Sequence, residues 1–243
     1  MWSKRFDPKE AARSAVEAAR SAAGEKLLSA ALYGSAARGE FDPAHSDVNV
    51  VFVFSELGTP DLQALHRVHR TWARHRVARP LLLTRRALED SQDTFPLEYL
   101  LLRQWHETLH GPDLYEPLRV ERGPLRSEVE RLLRAQELGI LTSFVALAAT
   151  PGGARHWAAQ ASRAIGASAT GLLHLAGEPM PARRADLAER CAARFGVDRE
   201  SLLALLTRDE DRPRLQASRL LESGRLLVER LIDEVERMDG PSH

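Results

Sequence analysis

Residues 27–54 read LLSAALYGSAARGEFDPAHSDVNVVFVF, and their pattern decides the fold. Two apolar runs, Leu27–Tyr33 and Val48–Phe54, each have the length of a buried strand. Between them stand Gly34-Ser35-Ala36-Ala37-Arg38-Gly39 and then Ser46-Asp47-Val48-Asn49. The order predicted is strand, Gly-Ser turn, short helix, loop, acidic residue, strand. A glycine at the turn lets backbone approach a ligand with no Cβ in the way. A helix starting just after it would turn free N–H groups and a positive dipole end toward a phosphate. A carboxylate at the mouth of the next strand, Asp47, could hold a metal cation on the same phosphates. The pattern is that of a nucleotide site.

The combination GSxARG, then SDxN, then an apolar strand resembles the signature of the DNA polymerase β-like nucleotidyltransferase superfamily. It is most similar to the small bacterial adenylyltransferases of the minimal and aminoglycoside types. The likeness is firm over Leu32–Phe54 and looser to about residue 120. It implies transfer of a nucleoside monophosphate, AMP from ATP or from another nucleoside triphosphate, to a hydroxyl acceptor, with pyrophosphate leaving. In such chemistry two divalent cations, normally Mg²⁺, clamp the attacking and leaving oxygens. Two carboxylates two residues apart on one strand face hold them, because strand side chains alternate. A third carboxylate from a neighbouring strand completes the set.

Asp47 matches the first carboxylate. Asn49 falls where the second belongs, so the expected catalytic and metal positions are Asp47 and Asn49. An amide oxygen can ligate a cation but carries no charge, and at close range a lost unit charge is worth a few kcal/mol. The third carboxylate is expected on Val77–Leu83, which contains no acid; its one charged interior residue is Arg79. The resemblance therefore implies a weakened or lost metal-dependent activity, unless acids from elsewhere stand in. The candidates are Glu40, Asp42, Glu98, Glu107 and Asp113, each of which also reads as an ordinary solvated acid. The loop from Gly39 to Ser46 is slightly longer than is usual in the family. Gly34, Ser35 and Arg38 are the expected nucleotide-binding residues, offering backbone N–H groups, a hydroxyl and a cation without any metal. The bland alternatives are a plain strand-to-helix turn and an Arg38–Glu40 pair; Ser46 could cap or orient Asp47, and a structural role is the stronger reading. His66, His69, His75, His106 and His110 lack metal-site spacing and read as surface or packing residues. Trp72, Trp105 and Trp157 read as core or interface rings before they read as stacking platforms.

The whole chain sets outer bounds. Its 243 residues suffice for one large domain or two modest ones. With 44% hydrophobic and 28% charged residues it has an ordinary globular balance. Net charge is zero, so bulk electrostatics argue against a long nucleic acid as partner and favour a small-molecule or protein acceptor. One cysteine, Cys191, excludes a disulfide framework. No signal-peptide core and no membrane-length apolar run are present, and the expected setting is cytoplasmic. Oligomeric state is left open, a homodimer among the alternatives.

In chain order, Asp7-Pro8-Lys9-Glu10 is a helix start and Gly24 its stop. Thr59-Pro60 starts a helix running to about His75; Val77–Thr84 is predicted as a strand interrupted by proline; Thr84 can cap a short helix. Pro96–Gln104 is predicted helical and Glu107–His110 a fourth strand. From Pro124 strand signals cease. Helices are predicted over Leu125–Ala148, Ala154–Leu175, Arg184–Phe195, Asp198–Leu206 and Arg214–Met238. The expected class is α+β: a nucleotidyltransferase-like α/β domain over 1–120, with a small mixed sheet, followed by an all-helical bundle domain over 121–243. By resemblance the bundle would form the second wall of a cleft.

Overall fold

The computed structural model describes residues 6–43, 46–77, 80–147, 153–207 and 217–238. The chain divides into two compact units, Met1–Val120 and Glu121–His243.

The first unit opens with helix α1, Pro8–Ala23. Asp7 caps it, its carboxylate accepting from the Lys9 N–H at 2.8 Å, and Pro8 supplies a preset φ at the first position. A short 3₁₀ turn leads into β1, Leu27–Tyr33, followed by β2, Asn49–Phe54. Helix α2, Thr59–Arg74, precedes β3, Leu81–Thr84. Helices α3, Arg85–Asp90, and α4, Pro96–Gln104, come before β4, His106–His110. The Thr84 hydroxyl caps α3 by accepting from the Ala87 N–H at 3.0 Å, as its position in the sequence suggests.

The four strands lie in the order β3-β2-β1-β4. Strand β1 pairs antiparallel with β2 and β4, while β2 and β3 run parallel, joined through α2. The central strands read as continuous apolar runs because both their faces are covered. On one face Ala30, Leu32, Val50, Phe52 and Phe54 meet α1 and α2. On the other, Ala31, Val51 and Val53 meet Leu88, Tyr99, Leu102 and Tyr115. The alanines of α1 let α2 come close. There the indole N–H of Trp72 donates to the Ala15 carbonyl at 3.1 Å, and the ring stacks on Phe52 at 5.5 Å. Burying a ring of this size stabilises the unit by roughly 2–3 kcal/mol.

Two expectations are corrected here. The third strand starts at Leu81 and not at Val77: Pro80 has no N–H to give to a ladder, and Val77 is buried just beyond the end of α2. Arg79 lies outside the described residues. The segment after Gly34-Ser35 is a run of turns from Gly34 to Gly39 and not a helix.

The second unit contains helices α5, Arg122–Leu147, α6, Gly153–Leu175, α7, Arg184–Phe195, α8, Arg199–Leu206, and α9, Ala217–Arg237. Its described residues contain no strand. Helix α5 packs on α6 and α9, burying Leu125, Val129 and Leu133 with Ile165, Leu172, Val228 and Leu231. Small residues set the spacing: a Cβ at Gly224 would stand 2.6 Å from the Trp157 ring. The class is α+β, a small mixed sheet with helices followed by an all-helical region. No helix among the described residues is long and apolar enough to cross a membrane.

Candidate functional site

The two halves of the Gly-Ser and Ser-Asp signature meet through strand register. Tyr33, the last residue of β1, pairs with Asn49, the first of β2. Gly34 follows at φ +75°, the left-handed region that glycine enters freely. A Cβ there would stand 2.7 Å from Asn49 Nδ2, closer than real Cβ atoms approach. Glycine is thus required twice, by backbone angle and by the side chain of Asn49.

From Gly34 the chain coils once. The Arg38 N–H donates to the Gly34 carbonyl at 3.0 Å, and the Glu40 N–H to that of Ser35 at 2.9 Å. The leading N–H groups of such a turn have no partner within it, as at a helix start. One turn is too short to build up a helix dipole, so local N–H groups and the Ser35 hydroxyl are the donors the turn offers. The half-buried Arg38 carries its guanidinium 5.3 Å from the Trp105 ring centroid, a cation–π contact at the end of α4.

Asp47 is exposed, Asn49 half-buried and Ser46 buried. Ser46 has the structural role its position suggested. Its hydroxyl accepts from the Asp42 N–H at 3.1 Å and its own N–H donates to the Asp42 carbonyl at 2.8 Å, which closes the loop. Beyond Asp47, the Val48 N–H donates to the Arg76 carbonyl at 3.0 Å.

Register extends the Tyr33–Asn49 pair to His106 on β4, forming a row of three on the sheet face that α3 and α4 cover. His106 Nδ1 lies 2.9 Å from the Leu102 carbonyl and Nε2 lies 2.9 Å from the Asp113 carboxylate. Burial raises the Asp113 pKa, but the bond from His106 and the N–H groups of Tyr115 and Glu116 outweigh it and hold the carboxyl below its usual range. Burial, with the Glu98 carboxylate adding to it, pushes the Tyr33 hydroxyl up.

These contacts sort the candidate replacement acids. Glu107 pairs with Leu32, so it sits on the opposite sheet face from Asn49, bridged to Lys9 and Arg13 of α1. Asp113 is committed to His106 and to two backbone N–H groups. Asp42 and Glu40 belong to the turn and loop between β1 and β2. Glu98, exposed on α4, acts through its charge on the Tyr33 hydroxyl. Among the described residues no group of three or more His, Cys, Asp or Glu is placed to hold a metal ion. His66 and His69 stack on each other along α2 with ring centroids 6.5 Å apart, Trp72 and Trp157 are core, and Trp105 receives Arg38. The sequence reading passed over Tyr33 and Arg76: Tyr33 ends an apolar run with no motif of its own, and Arg76 is one of many arginines.

No protein-family model matches the chain, and no curated protein matches it. Among solved structures it is similar to the spectinomycin adenyltransferase of Enterococcus faecialis, crystallised with ATP and spectinomycin. The TM-score is 0.54 over 94% of this chain and 99% of that one, at 13% identity. The two share a fold. In this chain the Gly34 turn follows the end of β1 and Asp47 precedes the start of β2.

Proposed function

We propose that this chain binds a nucleoside triphosphate, ATP in the first instance, at the Gly34 turn, and that its transfer of AMP to a hydroxyl acceptor is weakened or lost. The observation that carries this is the packing of Asn49 against Gly34. A neutral amide occupies the position beside the phosphate turn where the resemblance calls for a carboxylate.

In full, the reaction forms a bond from the acceptor oxygen to the α-phosphorus and breaks the bond to pyrophosphate, and the acceptor proton passes to a base. Backbone N–H groups of the turn and the Ser35 hydroxyl bind phosphate oxygens. Arg38, held at Trp105, supplies a fixed positive charge. Asp47 and the Asn49 amide oxygen are the residues that would hold Mg²⁺, which when bound neutralises charge on the phosphates. A carboxylate–amide pair carries one negative charge where two are expected, so it holds a divalent cation less firmly. The acceptor class is a small molecule or a protein hydroxyl. The fold likeness to an ATP-using adenyltransferase supports the choice of nucleotide.

A second reading, a non-catalytic nucleotide-binding or protein-binding regulatory module, is favoured by the same substitution and by the absence of any acid in Leu81–Thr84. Calorimetric titration with ATP, with and without Mg²⁺, and transfer of labelled AMP to cell extract separate the two. Mg²⁺-dependent binding with label transfer that disappears in Asp47→Ala supports the enzyme. Metal-independent binding without transfer supports the module. No binding of ATP under either condition overturns both as far as nucleotide is concerned.

A further inference from the structure

We propose that Arg76 is a positioning residue that fixes the loop delivering Asp47; the proposal rests on the reading of Asp47 as a cation ligand. The observation is a residue type in the wrong place. Helix α2 closes with a Schellman motif: the Arg76 N–H donates to the Ala73 carbonyl at 3.0 Å and the Val77 N–H to that of Trp72 at 2.9 Å. The residue at the turn of this motif takes a left-handed conformation and is usually glycine. Here it is Arg76, at φ +62°, the single non-glycine residue with positive φ among those described. Ending the helix does not require an arginine, and glycine would do it with less strain. Strain retained at one position directs attention to what its side chain does.

That side chain holds the start of the loop. The Arg76 guanidinium lies 5.4 Å from the Phe6 ring centroid and 5.9 Å from that of Phe41. The two rings stack on each other at 5.6 Å. Nη1 also donates to the Pro43 carbonyl. The backbone of the same residue holds the loop exit, its carbonyl accepting from the Val48 N–H at 3.0 Å. The Asp42–Ser46 pair ties the loop to itself between these points. One residue therefore grips both ends of the segment that carries Asp47. A carboxylate on an exposed loop must be held in place to serve as a ligand, since a short misplacement is enough to lose the function.

The test compares Arg76→Gly and Arg76→Lys with the wild type and Asp47→Ala. Arg76→Gly keeps the helix stop and the carbonyl that holds the loop exit, and removes only the side chain's hold on the loop start. Its thermal midpoint is expected within about 3 °C of wild type, strain relief offsetting lost contacts. Amide exchange at Phe41, Asp42 and 46–48 is expected to quicken by about tenfold or more, with α2 unchanged. The rise in ATP affinity on adding Mg²⁺ is expected to fall to that of Asp47→Ala, while affinity in chelator stays within about twofold. Arg76→Lys, which keeps a cation and a donor, restores part of both. Unchanged exchange in Arg76→Gly, or an intact Mg²⁺ increment, overturns the proposal. Faster exchange beside a wild type whose ATP affinity ignores both Mg²⁺ and Asp47→Ala upholds the grip on the loop and overturns the role of Asp47, which is the failure of the functional reading and not of the geometry.

Discussion

Replacing Gly34 by alanine tests whether the Gly34 turn and Asn49 are joined as described. Two effects act. At φ +75° an L-residue pays about 1–2 kcal/mol, offset in part by the reduced freedom of the unfolded chain. The new Cβ also falls 2.7 Å from Asn49 Nδ2, so the half-buried amide must leave its position at about 1 kcal/mol more. The total is about 2 kcal/mol. Gly39 supplies the control: it has the same φ of +75° with nothing within 4 Å of the place its Cβ would take, so Gly39→Ala pays the backbone cost alone, about 1 kcal/mol. Urea unfolding of the full chain reads the difference; with a slope of about 2 kcal/mol/M the midpoints fall by about 1 M and 0.5 M. In an Asn49→Ala background the excess of Gly34→Ala over Gly39→Ala should vanish, because the clashing atom is gone. Equal losses for the two glycines, or an excess that survives Asn49→Ala, refute the contact and with it the site built on it.

Two further outcomes concern the frame around the site. Trp72→Phe keeps a ring over Phe52 but removes the indole N–H that donates to the Ala15 carbonyl; a loss of about 1 kcal/mol is expected in the same urea assay, and a neutral variant would show that the bond contributes nothing. Asp113→Asn tests the acid limb. Because the folded pKa of Asp113 lies below the ordinary 3.8, its contribution to stability is present above that value and is lost as pH falls through the lower, folded one. The stability advantage of wild type over Asp113→Asn should hold at pH 7 and close below about pH 4; an advantage that persists undiminished to about pH 2 contradicts the assigned direction.

What was legible in the sequence was local. Helix α1 begins at Pro8 and α4 runs over Pro96–Gln104 as predicted, because caps and prolines act on the residues beside them. The sequence loses its strand signals from Pro124 on, and beyond β4 the described residues hold helices and no strand. Errors arose where longer-range pairing decides. Val77 is apolar and extended in pattern, yet Pro80 delays the ladder with β2 until Leu81. The turn after Gly34 has helix-compatible residues, yet it closes after one coil and returns toward β2. The site divides along the same line. Gly34, Ser35, Arg38, Asp47 and Asn49 were readable as a motif. That Asn49 touches Gly34, that Tyr33 and His106 continue its row, and that Arg76 reaches Phe41 and Pro43 all depend on strand register and helix packing, which no local window contains.

The neutral side chain at Asn49 is not imposed by packing. Asparagine and aspartate have the same shape, and the space beside Gly34 already accommodates the planar end group. The neighbour in register, Tyr33, adds no formal negative charge, and the nearest acid in sequence on the same strand alternation is Asp47, about 7 Å along an extended backbone. At that separation a second carboxylate costs about 0.6 kcal/mol in bulk water and about 2 kcal/mol at a protein-surface dielectric. Asn49→Asp should therefore fold, lose no more than about 2 kcal/mol without metal, and recover that loss when Mg²⁺ is added with ATP. Label transfer that rises from the wild-type level in Asn49→Asp would mean that the amide alone limits the reaction. A variant that folds, regains its stability with Mg²⁺ and still transfers nothing would show that the Asn49 amide is not what limits the reaction. A variant whose stability ignores Mg²⁺ would remove Asp47 and residue 49 from any cation site.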